Sequence, residues 1–407
     1  MPVDISSEIG LLQTVLVHTP GAELRAVTPG NKGDYLYDDI IQLETAQKEH
    51  RRFIAVLQRF AQVYQIADLL GEVLQVTQAR ESFIRSTLDV VPSEVLGRQL
   101  HELEPAALAR LIIEGVEQEG GPVAQALNSV GYVLPPLPNL FFPRDIGMVV
   151  GRHAVVGSMR YGVRWTEELL VKTLFNHHPL LANAGILYDG SDERRNDYTL
   201  EGGDIHVLRP DLLLVGFSAR TSPAAIDHLC KVVFRNTAVT DVLVLVMPKE
   251  PTAIHLDMLF TQVDHGLCVV YPPAFLGPER LAVLHRRKGH DSVREMPDFF
   301  TALREVGKNL SYGVLKLNLL VSRDGVDFTS TPIAGFFVDD LNLYSARQRA
   351  AFEKQAAHEL GVVEDVVKRD LGQVLKKAEA LQEETIRKAL EPKQKPVLRA
   401  TGAAQTG

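Results

Sequence analysis

Cysteine is scarce in this sequence: Cys230 and Cys268 are the only two in 407 residues. That count excludes a disulfide-rich secreted scaffold and a cysteine-rich zinc module, since both need several thiols at set spacings. Long apolar runs are missing too. The longest, such as 242–247 and 212–217, fall far short of the ~18 residues that a spanning helix needs. There is no excess of positive charge. Lys and Arg number 43 against 51 Asp and Glu, for a net charge of −8, which argues against a nucleic-acid partner. The opening MPVDISSEIG lacks a basic stretch followed by an apolar core, so no signal peptide is expected. The chain therefore reads as a cytoplasmic protein with no membrane partner.

What is present is ordinary for a globular protein: 45% hydrophobic and 23% charged residues. The length suggests two or three domains, or one large one. Residues 10–20, GLLQTVLVHTP, read as a buried strand that stops at Pro20 and Gly21. Residues 39–60 carry helical periodicity through Ile41, Leu43, Ala46, His50, Phe53, Ile54 and Leu57. Residues 62–66, QVYQI, return to a strand, completing a strand–helix–strand unit of an α/β layer. Residues 67–130 read as a small helical insert divided by Pro92 and Pro105. From Leu137 to about Leu303 strands and helices alternate. The expected strands are IGMVV, AVVGS, GILYD, IHVL, LLLVGF, VLVLVM and GLCVVY, with helices over 165–176, 223–235 and 295–305. Short repeating units without one long parallel sheet suggest a modular barrel or propeller.

The tail differs. Ser345 is a candidate N-cap for a helix ending at Gly361, and a second helix is expected from about Glu364 to Leu390. In it Val367, Leu371, Val374, Ala378 and Leu381 recur at 4,3,4,3 spacing, a coiled-coil-like seam that permits a homo-oligomer. Residues 341–407 carry a net charge of +3, against −11 for the preceding body. Residues 391–407 are expected to be disordered.

Four short clusters could carry chemistry. PNLFFPRD holds Asn139, Phe142 and Asp145, although its Arg–Asp pair could equally be a structural ion pair. EGGD, residues 201–204, puts two glycines between two acids, which suits either a close backbone approach or a tight turn. GFSARTS places Arg220 at a strand's end, where sites collect, or on the surface. HLDMLF has His255 and Asp257 two apart. On a strand that spacing faces both side chains one way, as an acid–base pair or as a core histidine beside an acid. Together these acids and the histidine suit a guanidinium ligand, which is planar, permanently charged and rich in donors. Two carboxylates can grip it through paired hydrogen bonds, and Arg164 and Arg220 could hold a carboxylate at the ligand's other end. The small molecule so described is arginine.

At these residues the chain resembles the arginine deiminase family, part of a guanidino-modifying superfamily (the penteins) with a five-bladed α/β propeller. The resemblance covers about residues 8–305. It rests on LLQTVLVHTPG, YLYDD with a helix ending in KEH, PNLFFPRD, MRYGVR, LEGGD, SARTS and IHLDMLF, in that order. It implies that Asp145 and Asp257 bind the guanidinium and that Glu201 and His255 form the acid–base pair. Asn139, Phe142, Arg164 and Arg220 would contact the rest of the substrate, with Glu167 nearby. It also implies hydrolysis of arginine to citrulline and ammonia through a covalent cysteine intermediate, with no metal and no organic cofactor.

One departure bears on activity. The family's nucleophile lies in a glycine-rich GGxRC-type segment near the C-terminus, and no such segment occurs here. Cys230 and Cys268 both read as buried, inert thiols. The tail resembles the helical spacer of some large bacterial zinc-finger primase-like proteins, which suggests a hybrid chain. The expected fold is thus α/β, an incomplete five-bladed propeller with a helical insert and a foreign, mainly helical tail. Its parts are a first module over 1–66, the insert over 67–130, further modules over 131–307, junction strands over 308–340, a helical tail over 341–390 and a disordered end. Three functions compete: an inactive arginine-binding protein, an active arginine hydrolase with an unexpected nucleophile, and a non-enzymatic assembly protein.

Overall fold

A computed structural model describes residues 3–306, apart from 119, 127–130, 194–196, 251–252, 265–266 and 277–279, together with 313–315. All of these lie in the compact unit Met1–Lys316. The expected junction strands beyond 315 and the expected tail helices lie outside the described residues.

The architecture is mixed α/β. Strand β1 (Thr14–Val17) pairs in parallel with β2 (Gln62–Gln65) across helix α1 (Leu43–Leu57). The strand is shorter than GLLQTVLVHTP suggests, and Leu11 is 87% exposed. Ile66 does not close β2 but opens α2 (Ile66–Val73). Next come α3 (Thr77–Val90), α4 (Glu94–Glu102) and α5 (Pro105–Glu114). Ser93 caps α4 by accepting from the Leu96 N–H, and Pro105 opens α5, where a missing N–H costs nothing. These helices bury Phe83, Ile84, Leu100, Leu108 and Ile112 in one core. Each such side chain contributes about 1.5–3 kcal/mol by leaving water. The short strands β3 (Val116–Glu117) and β4 (Tyr132–Leu134), with α6 (Pro122–Ala126) between them, close this region.

Two similar units follow. In the first, α7 (Pro143–Ile146) leads into the hairpin β5 (Gly147–Val150) and β6 (His153–Val156). Helix α8 (Trp165–His177) then crosses to β7 (Ile186–Asp189), parallel to β6, and α9 (Gly190–Glu193) follows. In the second, the hairpin β8 (Ile205–Arg209) and β9 (Leu212–Phe217) is followed by α10 (Pro223–Asn236) and the parallel strand β10 (Asp241–Val246). Strands β9 and β10 are apolar at nearly every position and β8 at three of five, because the sheet they form is covered on both faces.

A third hairpin, β11 (Phe260–Asp264) with β12 (Leu267–Val270), precedes α11 (Pro272–Leu276). Strands β13 (Ala282–Arg287) and β14 (Val293–Met296) extend the sheet of β10, giving the order β14-β13-β10-β9-β8. The helix expected over 295–305 is split: β14 takes its start, and α12 (Phe299–Val306) takes the remainder. Strand β15 (Gly313–Leu315) pairs in parallel with β12.

The N-terminal segment runs as a strap between these units. Ile5 and Gly151 exchange backbone hydrogen bonds, and the Glu8 N–H donates to the Val207 carbonyl at 3.0 Å. Among the described residues, no helix is long and apolar enough to cross a membrane.

Candidate functional site

The candidate site is built where turns meet rather than inside strands. Pro143 starts the single turn α7, which presents Asp145 just ahead of β5. Arg164 ends a short 3-10 turn, Gly162–Arg164, immediately before α8. Glu201 precedes a second such turn, Gly202–Asp204, at the entry to β8. His255 precedes a third, Leu256–Met258. The sequence reading placed His255 and Asp257 on a strand, facing one way. They flank a 3-10 turn instead: His255 points inward and is 6% exposed, while Asp257 is exposed.

The glycines of EGGD answer a close approach. A Cβ at Gly202 would lie 1.9 Å from the Arg144 carbonyl oxygen, and one at Gly203 would lie 2.7 Å from Cγ of His255. No larger residue fits either position without displacement. Asp204 closes the same turn from within. Its Oδ2 accepts from the Ser218 and Thr221 hydroxyls at 2.6 Å each, and its Oδ1 accepts from the Leu256 N–H at 2.9 Å. Asp204 thereby ties the SARTS loop to the backbone beside His255. Burial dominates its titration and raises its pKa to about 7, against those three hydrogen bonds and the His255 charge.

Glu201 is fully buried and every approach to it is polar. Its Oε1 accepts from the Arg160 N–H at 2.9 Å. Its Oε2 is 2.8 Å from His255 Nε2 and 2.9 Å from Arg220 Nη1. Burial alone would raise its pKa, but the His255 hydrogen bond and the Arg220 and Arg164 charges outweigh that and lower it. On the other side of the imidazole, Nδ1 is 3.8 Å from Asp145 Oδ1. Burial opposes charge on His255, yet the Glu201 hydrogen bond and the Asp145 charge raise its pKa to about 8. The imidazolium thus sits between two carboxylates and is mostly protonated at neutral pH.

The arginines are also engaged. Arg164, 3% exposed, donates to Asp145 Oδ2 at 2.7 Å and to Glu167 at 2.8–3.2 Å. Arg220 donates to Glu201, and its guanidinium carbon is 4.8 Å from the Tyr161 ring centroid, a cation–π distance. Asn139 holds its loop to the first unit by donating from Nδ2 to the Tyr35 carbonyl at 3.0 Å, while Tyr37 donates to the Pro138 carbonyl at 2.7 Å. Phe142 is half exposed.

Asp145, Arg164, Glu167, Glu201, Arg220 and His255 therefore form one buried network, with Asn139 behind it. Asp257 and Phe142 stand at the surface. Sequence reasoning missed Asp204 and Arg144 as parts of this assembly. The signal was available, since one is the last residue of EGGD and the other immediately precedes Asp145.

Among the described residues, Asp145, Glu201 and His255 bring ligand atoms within 4.8 Å of one another, as a metal ion would need. The donor set fits an ion poorly. Both carboxylates already accept from N–H donors on Arg164, Arg220 and His255, which offer a metal ion no lone pair, whereas a guanidinium, itself a donor, can replace such a donor in kind. What the arrangement can do is hold a cationic ligand against acids and move a proton between Glu201 and His255.

The two cysteines lie elsewhere. Cys230 packs in α10 against the core of β8, β9 and β10, and Cys268 packs in β12. Burial pushes both thiols up to about 12.

A family model for arginine deiminase matches residues 33–317. The arginine deiminase of Bacillus cytotoxicus is 32% identical over 326 residues, covering 76% of this chain and 78% of that protein. That of Treponema denticola is 32% identical over 315 residues, covering 72% and 76%. That of Rhodococcus erythropolis is 30% identical over 308 residues, covering 72% and 74%. A solved DDAH from Pseudomonas aeruginosa complexed with citrulline is 14% identical, with a TM-score of 0.37 over 75% of this chain and 92% of that chain, too distant to bear on the site. By the extent of the family match and the identity of these relatives, the chain belongs to the arginine deiminase family.

Proposed function

We propose that this protein binds L-arginine at the network of Asp145, Glu201 and His255 and does not turn it over by the family's cysteine chemistry. The observation that carries the binding half is the gathering of three buried acids, Asp145, Glu167 and Glu201, at one place in the fold. Asp145 and Asp257 would take the guanidinium, exchanging part of the Asp145–Arg164 pairing for paired hydrogen bonds to the ligand. Arg220 would then face the ligand's carboxylate. Glu201 and His255 would serve as proton acceptor and proton donor beside the ligand.

The second half rests on the thiols. In the family reaction a thiolate attacks the guanidinium carbon, ammonia leaves, and water releases citrulline. A nucleophile of this kind needs a thiolate in a partly exposed, electropositive setting. Cys230 and Cys268 are 3% and 0% exposed, with pKa values near 12. Neither lines the network described above.

Calorimetry with L-arginine on the full chain tests the binding, and a citrulline assay tests the turnover. Binding without citrulline is expected. No heat at millimolar arginine would sink the binding reading. Citrulline above the buffer blank would favour an active hydrolase with an unexpected nucleophile, a reading kept alive by the intact Glu201–His255 pair. Loss of that product in Cys230→Ala or Cys268→Ala would then name the thiol.

A further inference from the structure

The N-terminal strap carries a charge that the proposed binding does not use. Glu8 Oε1 accepts from Arg144 Nη2 at 3.1 Å and from the Val207 N–H at 2.9 Å, and Oε2 accepts from Arg144 Nη1 at 3.1 Å. The pair is therefore bidentate, the geometry that fixes a guanidinium in orientation as well as position. The rest of the Arg144 fork points at main chain. Its Nε donates to the Gly202 carbonyl at 3.1 Å and its Nη2 to the Ile205 carbonyl at 2.5 Å. The guanidinium is thus stretched across the turn that follows Glu201, with Glu8 on the far side.

Arg144 also precedes Asp145, and its charge acts on both Asp145 and Asp257. It is a cation of the same chemistry as the ligand proposed for those two acids. An arginine side chain on a flexible stem, freed from its partners, would compete with that ligand. Glu8 itself is charged at neutral pH. Burial pushes its carboxyl up, but Arg144 more than reverses this and leaves the pKa lowered.

We propose that Glu8 is a positioning residue for the arginine site: it pins Arg144 to the Gly202 and Ile205 carbonyls and so keeps that cation off Asp145 and Asp257. The proposal rests on the arginine-binding reading above. It assigns the N-terminal strap a role in ligand affinity although Glu8 touches no ligand.

The test uses the full chain in three forms: the parent, Glu8→Gln, and Glu8→Gln with Arg144→Gln. Glutamine keeps an acceptor for the Val207 N–H and removes the charge. Two quantities are read, the calorimetric affinity for L-arginine and the midpoint of the His255 Hε1 titration by NMR. Glu8→Gln is expected to weaken arginine about tenfold and to lower the His255 midpoint, because Arg144 turns toward Asp145, one of the charges that raises it. The double variant is expected to recover part of both, since the loose cation is gone. A purely structural role for Glu8 makes the double variant as weak as the single one or weaker, and that result overturns the proposal. So do an unchanged affinity and midpoint in Glu8→Gln. If the parent fails to bind arginine, the binding reading fails, and the midpoint series still decides the role of Glu8. Should Glu8→Gln not fold, Glu8→Asp serves: the shorter acid should loosen Arg144, weaken arginine and lower the His255 midpoint, and an unchanged affinity and midpoint overturn the proposal.

Discussion

Gly203→Ala is a small change with a large expected consequence for His255. The added methyl would lie 2.7 Å from Cγ, 2.8 Å from Nδ1 and 2.9 Å from Cβ of that residue. Carbon atoms pack at ~3.5–4.0 Å, so the ring must move by most of an ångström. It has no slack, because its side chain is 8% exposed and its Nε2 lies 2.8 Å from Glu201. The turn cannot retreat either, with Gly202 already against the Arg144 carbonyl. The hydrogen bond to Glu201 is therefore the contact that yields. That bond is the largest contribution raising His255 from 6.5 to about 8. The interval corresponds to about 2 kcal/mol. A base with a raised folded-state pKa stabilises fully below its unfolded value and loses that stabilisation as pH rises through the folded one. The parent should accordingly lose about 2 kcal/mol between pH 6.5 and a little above pH 8 from this group. Gly203→Ala should show a His255 midpoint lowered from about 8, a flatter stability profile across that window, and an overpacking loss of about 1–3 kcal/mol at pH 6. NMR titration of the His255 Hε1 proton and urea unfolding at pH 6 and pH 9 measure all three. A variant that keeps its midpoint near 8 and its pH slope would refute the reasoning, since the ring would then have found room without giving up Glu201.

Other consequences are separable. Asp204→Asn should cost about 1–3 kcal/mol, because an amide cannot accept at all three of the Asp204 contacts; it should also remove the stability that Asp204 loses as pH rises from 3.8 through about 7, which urea unfolding at pH 5 and pH 8 would show. Arg220→Ala leaves Glu201 a buried acid short of its cation, so a loss of about 3 kcal/mol is expected at pH 7, and a change under 1 kcal/mol would count against the pairing. Neither thiol should react with a thiol-specific reagent in the native protein at pH 8, and labelling should follow urea unfolding; stoichiometric labelling of folded protein would contradict the burial of Cys230 and Cys268.

Legibility in the sequence followed the range of the interactions involved. The apolar runs of β8, β9 and β10 were readable because each strand is buried on both faces, and burial leaves a compositional trace that needs no partner to be seen. Helix α10 matches the helix expected over 223–235, and the structure shows why it begins there: Ser222 caps it and Pro223 opens it. Helix α3 falls inside the helical insert expected over 67–130, although its mixed TQARESFIRSTLDV pattern turns only Ala79, Phe83, Ile84 and Thr87 inward. The helix expected over 295–305 lost its first residues to β14, where pairing with β13 outcompeted local helical preference.

The candidate site divides in the same way. Its residue types were fixed by chemistry that is visible in one dimension: acids, a histidine and arginines beside glycines and turns. Their pairings were not visible. Glu201 and His255 are 54 positions apart, Asp204 and Leu256 are 52 apart, and Glu8 and Arg144 are 136 apart. Nothing local records such contacts, because the chain between them is free to close in many ways until sheets and helices pack. By itself the sequence determined most of the element types, the family and the scarcity of thiols. The tertiary structure decided that Arg164 and Arg220 are already bound to protein acids and that Asp257 turns outward while His255 turns in. Both cysteines lie in the core, as their surroundings in the sequence suggested. Burial and charge pairing are sums over neighbours, and the neighbours exist only once the chain has folded.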